Sequence, residues 1–180
     1  MRIIGGALKG RRLAPVKGWT GRPTTDFGRE SLFNLLRSRV DIDGADVLDL
    51  FSGSGMVSLE FASRGAASVT SIERDPKAVR HLASAYDQFD LGHCRALRGD
   101  VWQFITRPIT SFDIVFADPP YNLERLPELP AAILASPLLQ PDGLFILEHG
   151  ERTHFEEEPG FIEHRHYGQV HFSFFQHPEA

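Results

Sequence analysis

Asp46-Val47-Leu48-Asp49-Leu50-Phe51-Ser52-Gly53-Ser54-Gly55, continued through Met56 to Arg64, Gly65 and then Ala67-Ser68-Val69-Thr70-Ser71-Ile72-Glu73, is the stretch that decides the fold. Residues 46–50 read as a buried strand. Residues 56–64 read as a helix ended by Gly65, and residues 67–73 as a second strand that closes on an acid. Gly53 and Gly55, between strand and helix, allow a sharp turn and a close approach of backbone to a ligand, where a Cβ would clash. In open α/β sheets ligands bind at the carboxyl ends of the strands.

The same rhythm continues outward. Pro76 to about Phe89 reads as a helix with its proline in the first turn. Arg95–Arg98 is a short third strand and Val101–Thr106 a short helix. Phe112–Ala117 is a fourth strand, Leu129–Leu139 a helix, and Gly143–Glu148 a fifth strand. Alternating strands and helices predict a mostly parallel sheet covered on both faces. The tail breaks the alternation: Phe161–Tyr167 and Val170–Gln176 flank Gly168 as two extended runs, so the seven-stranded sheet is expected to end in an antiparallel hairpin. Upstream, Thr25 or Asp26 can cap a helix running to about Arg39. Residues 1–25, rich in Gly, Arg and Lys, read as a small hairpin or ordered arm.

The 180 residues suit one domain with a sizeable core. No apolar run is long enough to span a bilayer, and Met1-Arg2-Ile3-Ile4-Gly5-Gly6 lacks the apolar core of a secretory signal. Cys94 is the only cysteine, which excludes an internal disulfide and a cysteine-rich zinc site. It has no activating partner in the sequence and is expected to be inert; a reducing, cytoplasmic setting is expected. The formal charge is −5. Residues 1–40 hold nine basic side chains against Asp26 and Glu30, a net of +7, which leaves −12 for residues 41–180. The division expected is therefore a basic arm and helix over 1–40 and a single globular unit over 41–180. The arm is either a polyanion-binding face or a solvated counterweight to an acidic body.

Glu73 stands twenty residues after Gly53, where a carboxylate can accept from two ribose hydroxyls. A dinucleotide fingerprint would want Gly or Ala where Ser58 stands, which disfavours NAD. Asp49, at the mouth of its strand, suits a ligand with an ammonium group, such as the methionine end of S-adenosylmethionine. Asp100 can accept from an adenine amino group, or serve as the N-cap of the helix at Val101. The candidate cofactor contacts are Asp49, Phe51, Ser52, Gly53, Gly55, Glu73, Arg74, Asp100, Val101 and Asp118.

Asp118-Pro119-Pro120-Tyr121 follows the fourth strand directly. Two prolines fix φ and remove two N–H donors, and the residues before them are pushed towards extended conformations. The result is a stiff loop rich in acceptors. Asp118 and the Pro119 carbonyl can accept the two N–H bonds of an exocyclic amine, and Tyr121 can stack on the base. An aromatic amine is a poor nucleophile because its lone pair is delocalised into the ring. Two fixed acceptors orient it and stabilise the positive charge that develops on nitrogen. No metal is required. Asp118, Pro119, Pro120 and Tyr121 are the candidate catalytic residues.

With these residues in view, the chain resembles the RsmD family. The resemblance is carried by Met1–Gly6, Lys9-Gly10-Arg11, Arg22-Pro23-Thr24-Thr25-Asp26, Arg29-Glu30, Leu32-Phe33-Asn34, the loop 49–55, residues 118–121 and Tyr167-Gly168. It covers nearly the whole chain. It implies a class I S-adenosylmethionine-dependent methyltransferase fold, Rossmann-like, and methylation of guanine N2 in 16S rRNA of an assembled or assembling 30S particle; a monomer is expected. It also implies that Arg22, Thr24 and Thr25 lie near the cofactor pocket and the RNA. Arg2, Lys9, Arg11 and Arg12 are the remaining candidate RNA contacts. The chain departs from the family pattern at Phe27, where a basic residue is usual, and at Ser84-Ala85-Tyr86, where an Asn is expected.

Two other readings compete. DNA adenine-N6 methylation uses the same tetrapeptide, although no segment is long enough for a target-recognition insertion. A non-catalytic ribosome-assembly factor could keep the fold as a scaffold, against which the intact Asp118 and Glu73 speak. Trp19 can anchor the arm or stack on a base. His154, His164, His166, His171 and His177 cluster late in the chain, with His164 and His166 on one strand face. A wet strand face that contacts RNA fits them better than a metal site.

Overall fold

The computed structural model describes residues 1–21, 24–107 and 110–178. Seven strands form one sheet in the order β3-β2-β1-β4-β5-β7-β6. Strands β1 (Asp46–Leu50), β2 (Ser68–Glu73), β3 (Cys94–Arg98), β4 (Phe112–Ala117) and β5 (Leu139–His149) are mutually parallel, paired as β3-β2-β1-β4-β5. β7 (Val170–Phe175) lies between β5 and β6 (Phe161–Tyr167), antiparallel to both. The connections place α2 (Met56–Ser63), α3 (Pro76–Gln88), α4 (Val101–Thr106) and α5 (Leu129–Leu134) around the sheet. α1 (Asp26–Leu36) precedes it.

Alternation along the strands divides the core into two layers. Val47, Val69, Ile114, Phe116, Ile146 and Phe174 face α1, α2 and α3, where Leu32, Phe33, Leu59, Phe61 and Leu82 meet them. Leu48, Leu50, Val115, Phe145, Leu147 and Phe175 face α4 and α5, against Val101, Ile105, Leu129 and Ile133. β1, buried from its second residue onward, is covered on both sides, as a central parallel strand must be.

Helix starts follow local chemistry. Thr25 Oγ1 accepts the Gly28 N–H, Asp75 accepts from Lys77 and Ala78, and Asp100 accepts from Gln103. The helix expected over 129–139 is shorter. A 3-10 turn, Leu126–Glu128, leads into α5, which stops at Leu134. Pro137 disfavours helical backbone at Ser136, whose hydroxyl instead returns to the Ile133 carbonyl at 2.8 Å. The strand expected over 143–148 accordingly starts earlier, at Leu139.

The first thirteen residues fold back on themselves. Ile3 N–H donates to the Arg11 carbonyl, Gly10 N–H to Ile3 and Leu13 N–H to Met1. Ile3 and Leu13 are buried in the same apolar layer as α1 and α2. The arm is fastened by Glu60 on α2, which is fully buried and accepts the Ile4 and Gly5 N–H groups at 2.5 and 3.2 Å. Arg29, only 1% exposed, donates to the carbonyls of Thr24 and Arg2, both at 2.8 Å, and to Asp26 at 2.7 Å. From there the chain climbs along α3: Arg11 lies over Phe89, Ala14 against His81, and Gly18 accepts from Lys77. The arm thereby ends at the carboxyl edge of the sheet.

Candidate active site

β1 crosses to β2 on one side and pairs with β4 on the other, so the carboxyl ends of β1 and β4 open a crevice where the strand order reverses. A cleft of about 900 Å³ occupies it. Its floor comes from the turn after β1. There Phe51 has φ +62°, Gly53 +51° and Gly55 +75°. A left-handed phenylalanine is strained, and such strain is tolerated where neighbours over-determine it. The Ser52 N–H is tied to the Ile72 carbonyl at 3.1 Å and the Gly55 N–H to Ser52 at 2.8 Å. A Cβ on Gly53 would sit 3.1 Å from the Trp19 ring, and one on Gly55 2.3 Å from Leu82. Both glycines are needed for packing as well as for conformation.

Glu73, closing β2, accepts the Gly53 N–H at 3.0 Å with one oxygen and the Asp75 N–H at 2.8 Å with the other. Each oxygen keeps a second lone pair for a ligand hydroxyl. Asp49 is buried and accepts from the Ser58 hydroxyl. Ser58 lies 2.8 Å from the Ser71 hydroxyl, which lies 2.7 Å from the Tyr86 hydroxyl. Ser58, the residue that breaks a dinucleotide fingerprint, and Tyr86 therefore belong to one buried chain ending on Asp49. Burial pushes the Asp49 carboxyl up to about 7, and the nearby Asp118 and Glu73 push it the same way.

The opposite wall is the tetrapeptide. Asp118, Pro119, Pro120 and Tyr121 all line the cleft. Asp118 accepts from the Thr24 hydroxyl at 3.3 Å, and burial raises its pKa to about 6. Tyr121, 47% exposed at the rim, donates to Glu148 Oε1 at 3.1 Å. Glu148, at the carboxyl end of β5, is 4% exposed, and its second oxygen is buried without a hydrogen-bond partner among the described residues. Burial raises Glu148 well above the usual carboxylate range, and repulsion from Asp118 adds to it.

The cleft thus brings together every candidate cofactor and catalytic position: Asp49, Phe51, Ser52, Gly53, Glu73, Arg74, Asp100, Val101 and the tetrapeptide line it, and Gly55 shapes its floor. Asp100 spends one oxygen on its helix cap while lining the cleft, so its two readings are compatible. Thr24 and Thr25 are also at the cleft. Arg22 lies outside the described residues. Arg2 is exposed and paired with Asp26 at 2.9 Å. Lys9, Arg11 and Arg12 do not line the cleft; Arg11 sits at the far end of α3. Trp19 packs over Gly53, as an anchor of the arm would, and it also lines the cleft.

Sequence reasoning missed Glu148, Gln169 and Val170 as cleft residues. It also missed His149, whose ring stacks with His164, lies tilted against His171 and meets the Ser173 hydroxyl at 2.8 Å. Among the described residues no group of three or more His, Cys, Asp or Glu could hold a metal ion. Burial raises the Cys94 thiol to about 11.

The family model described as conserved hypothetical protein 95 matches residues 1–176. The small-subunit ribosomal RNA methyltransferase D of Escherichia coli K12 is 42% identical over 129 residues, 71% of this chain and 64% of that protein. The chain belongs to the RsmD family. Another relative of this RsmD-family chain is YlbH of Bacillus subtilis, named as an rRNA methyltransferase candidate. It is 35% identical over 164 residues, 89% of this chain and 88% of that one. Among solved structures, yhhF of Escherichia coli, described as a methyltransferase candidate, superposes with a TM-score of 0.85. That match has 33% identity and covers 100% of this chain and 99% of that one. The fold of the RsmD-family chain is that of class I S-adenosylmethionine-dependent methyltransferases.

Proposed function

We propose that this RsmD-family protein transfers a methyl group from S-adenosylmethionine to the exocyclic N2 of a guanine in 16S rRNA, on the 30S subunit or its assembly intermediate. The observation that carries the reading is that Asp118 opens into the same cleft as Asp49, Gly53 and Glu73. The names of the curated relatives support the rRNA substrate.

The donor set fits the cofactor. Glu73 and Asp118 both lie close enough to act on the buried Asp49 carboxyl, and such a site favours a cationic ligand. The volume suits a cofactor and a base together. Asp49 would hold the ammonium, Glu73 the ribose hydroxyls and Asp100 the adenine amine. Bound there, S-adenosylmethionine supplies an electrophilic methyl group on a sulfonium.

The chain's own residues supply position and charge. Asp118 and the Pro119 carbonyl accept the two N–H bonds of the amine, which aims its lone pair and stabilises the nascent ammonium. Asp118 is the natural first acceptor of the proton released after transfer. Thr24 fixes its carboxylate, and Arg29 fixes Thr24. Tyr121 offers an exposed ring for stacking against an unpaired or flipped base. Residues 1–40 present the basic, RNA-facing side, acting in a monomeric cytoplasmic enzyme.

Labelled cofactor, ribosomal particles and nucleoside mapping test this. Label is expected in N2-methylguanine of 16S rRNA; label confined to adenine in duplex DNA would refute it. Asp118→Ala is expected to abolish turnover while leaving cofactor affinity within a few-fold.

A further inference from the structure

We propose that Glu148 selects guanine: its unpartnered carboxylate oxygen accepts the N1–H of the target base while Asp118 holds the adjoining N2 amine. This rests on the guanine-N2 reading of the cleft. A buried carboxylate oxygen without a partner is costly, and native structures keep one only for a reason. Here the oxygen belongs to a side chain 4% exposed that lines the cleft beside Asp118 and Tyr121. Its sister oxygen is already held by Tyr121 at 3.1 Å, which fixes the direction of the free one. Asp118 lies near enough to repel it.

Two neighbouring acceptors match one edge of one base. Guanine presents N1–H beside its N2 amine. Adenine, and 2-aminopurine with the same amine as guanine, present a bare N1 acceptor instead. An ionised Glu148 therefore rewards guanine and leaves two lone pairs opposed for the others. Asp118 and Tyr121 from the tetrapeptide loop act on Glu148 directly, and Thr24 and Thr25 before α1 and Gln169 and Val170 from the hairpin line the same cleft. His149 beside it packs on the other layer, against Phe155. Because burial and Asp118 raise the Glu148 pKa, acid returns a proton to it and turns acceptor into donor. Guanine turnover should then fall with acid more steeply in wild type than in Glu148→Gln.

The test uses small subunits reconstituted with rRNA carrying guanine or 2-aminopurine at the position the wild-type protein modifies. Wild type is expected to prefer guanine by about 10- to 100-fold in kcat/KM. In Glu148→Gln the amide still accepts from Tyr121 and offers N–H to a bare N1, so the preference should shrink to within a few-fold. Tyr121→Phe keeps the stacking ring but releases Glu148 Oε1, so the preference should weaken without vanishing. Equal use of both bases by wild type, or a ratio unchanged in Glu148→Gln, overturns the role of Glu148 while leaving guanine methylation standing. Absence of methylguanine with wild type removes the reading beneath it as well.

Discussion

Replacing Asp49 by Asn should stabilise the cofactor-free protein, by an amount that depends on pH in a prescribed way. Burial raises the Asp49 carboxyl from 3.8 to about 7. A raised acid pKa means that the folded state holds its proton more tightly than the unfolded chain. The stabilisation is full below about pH 4 and is lost as pH climbs towards 7. At about 1.36 kcal/mol per pH unit, the loss across that window is roughly 4 kcal/mol. Asn has no charge to desolvate, and it still accepts from Ser58. Its amide brings a pH-independent cost of about 1–3 kcal/mol if poorly paired. The difference between variant and wild type should therefore grow by a few kcal/mol from pH 4.5 to pH 7.5 and then level off. At pH 8 the variant should melt a few degrees higher, at about 2–4 °C per kcal/mol for a chain of this size. Urea unfolding at pH 4.5, 6 and 8 measures the slope directly. Saturating S-adenosylmethionine should reverse the order, because only wild type gains from binding. A stability difference that is flat with pH would refute the claim that Asp49 is a desolvated carboxylate held ready for a cation.

Three further outcomes follow from the same contacts. Tyr86→Phe removes the far donor of the chain Tyr86–Ser71–Ser58–Asp49; cofactor affinity should drop several-fold by calorimetry, with about 1 kcal/mol lost in unfolding. Arg29→Met leaves Glu60 with a single basic partner, Arg64, and frees the Thr24 carbonyl. It should cost about 3–5 kcal/mol in urea unfolding and raise amide exchange over residues 1–13. Burial lowers His149 to about 4, so its contribution is full above the ordinary histidine range and is lost as pH falls towards 4. His149→Gln should flatten that acid-side loss of stability, and a variant as acid-sensitive as wild type would count against it.

The parts of the site that were legible in the sequence share one property: each is marked within a few residues of itself. Gly53 and Gly55 declare a turn, Asp118 to Tyr121 declare a stiff loop, and the strand order then places them on one edge. Glu73 was found as the acid that closes a buried strand. The same rule, applied to the run Gly143–Glu148, would have found Glu148. Ser58 was legible only as a mismatch, because its partners Ser71 and Tyr86 come from another strand and another helix. Arg29 was legible only as part of the family signature, and Glu60 only as a lone charge in the apolar run of α2. Neither shows its partner until the arm closes over them. The shortened helix after Glu128 is a different failure: Pro137 announced the stop, but apolar periodicity through Leu139 outweighed it.

The position of β7 sets an order of assembly. It follows β6 in the chain yet lies inside it, against β5. The hairpin must close first and then dock as one piece, or β6 must wait at a distance until its partner is made. Gln169 and Val170 reach the cleft through that same docking. A growing polypeptide that already contains the glycine turn and the proline loop would thus still lack one wall of the cleft until the last strand pair is in place.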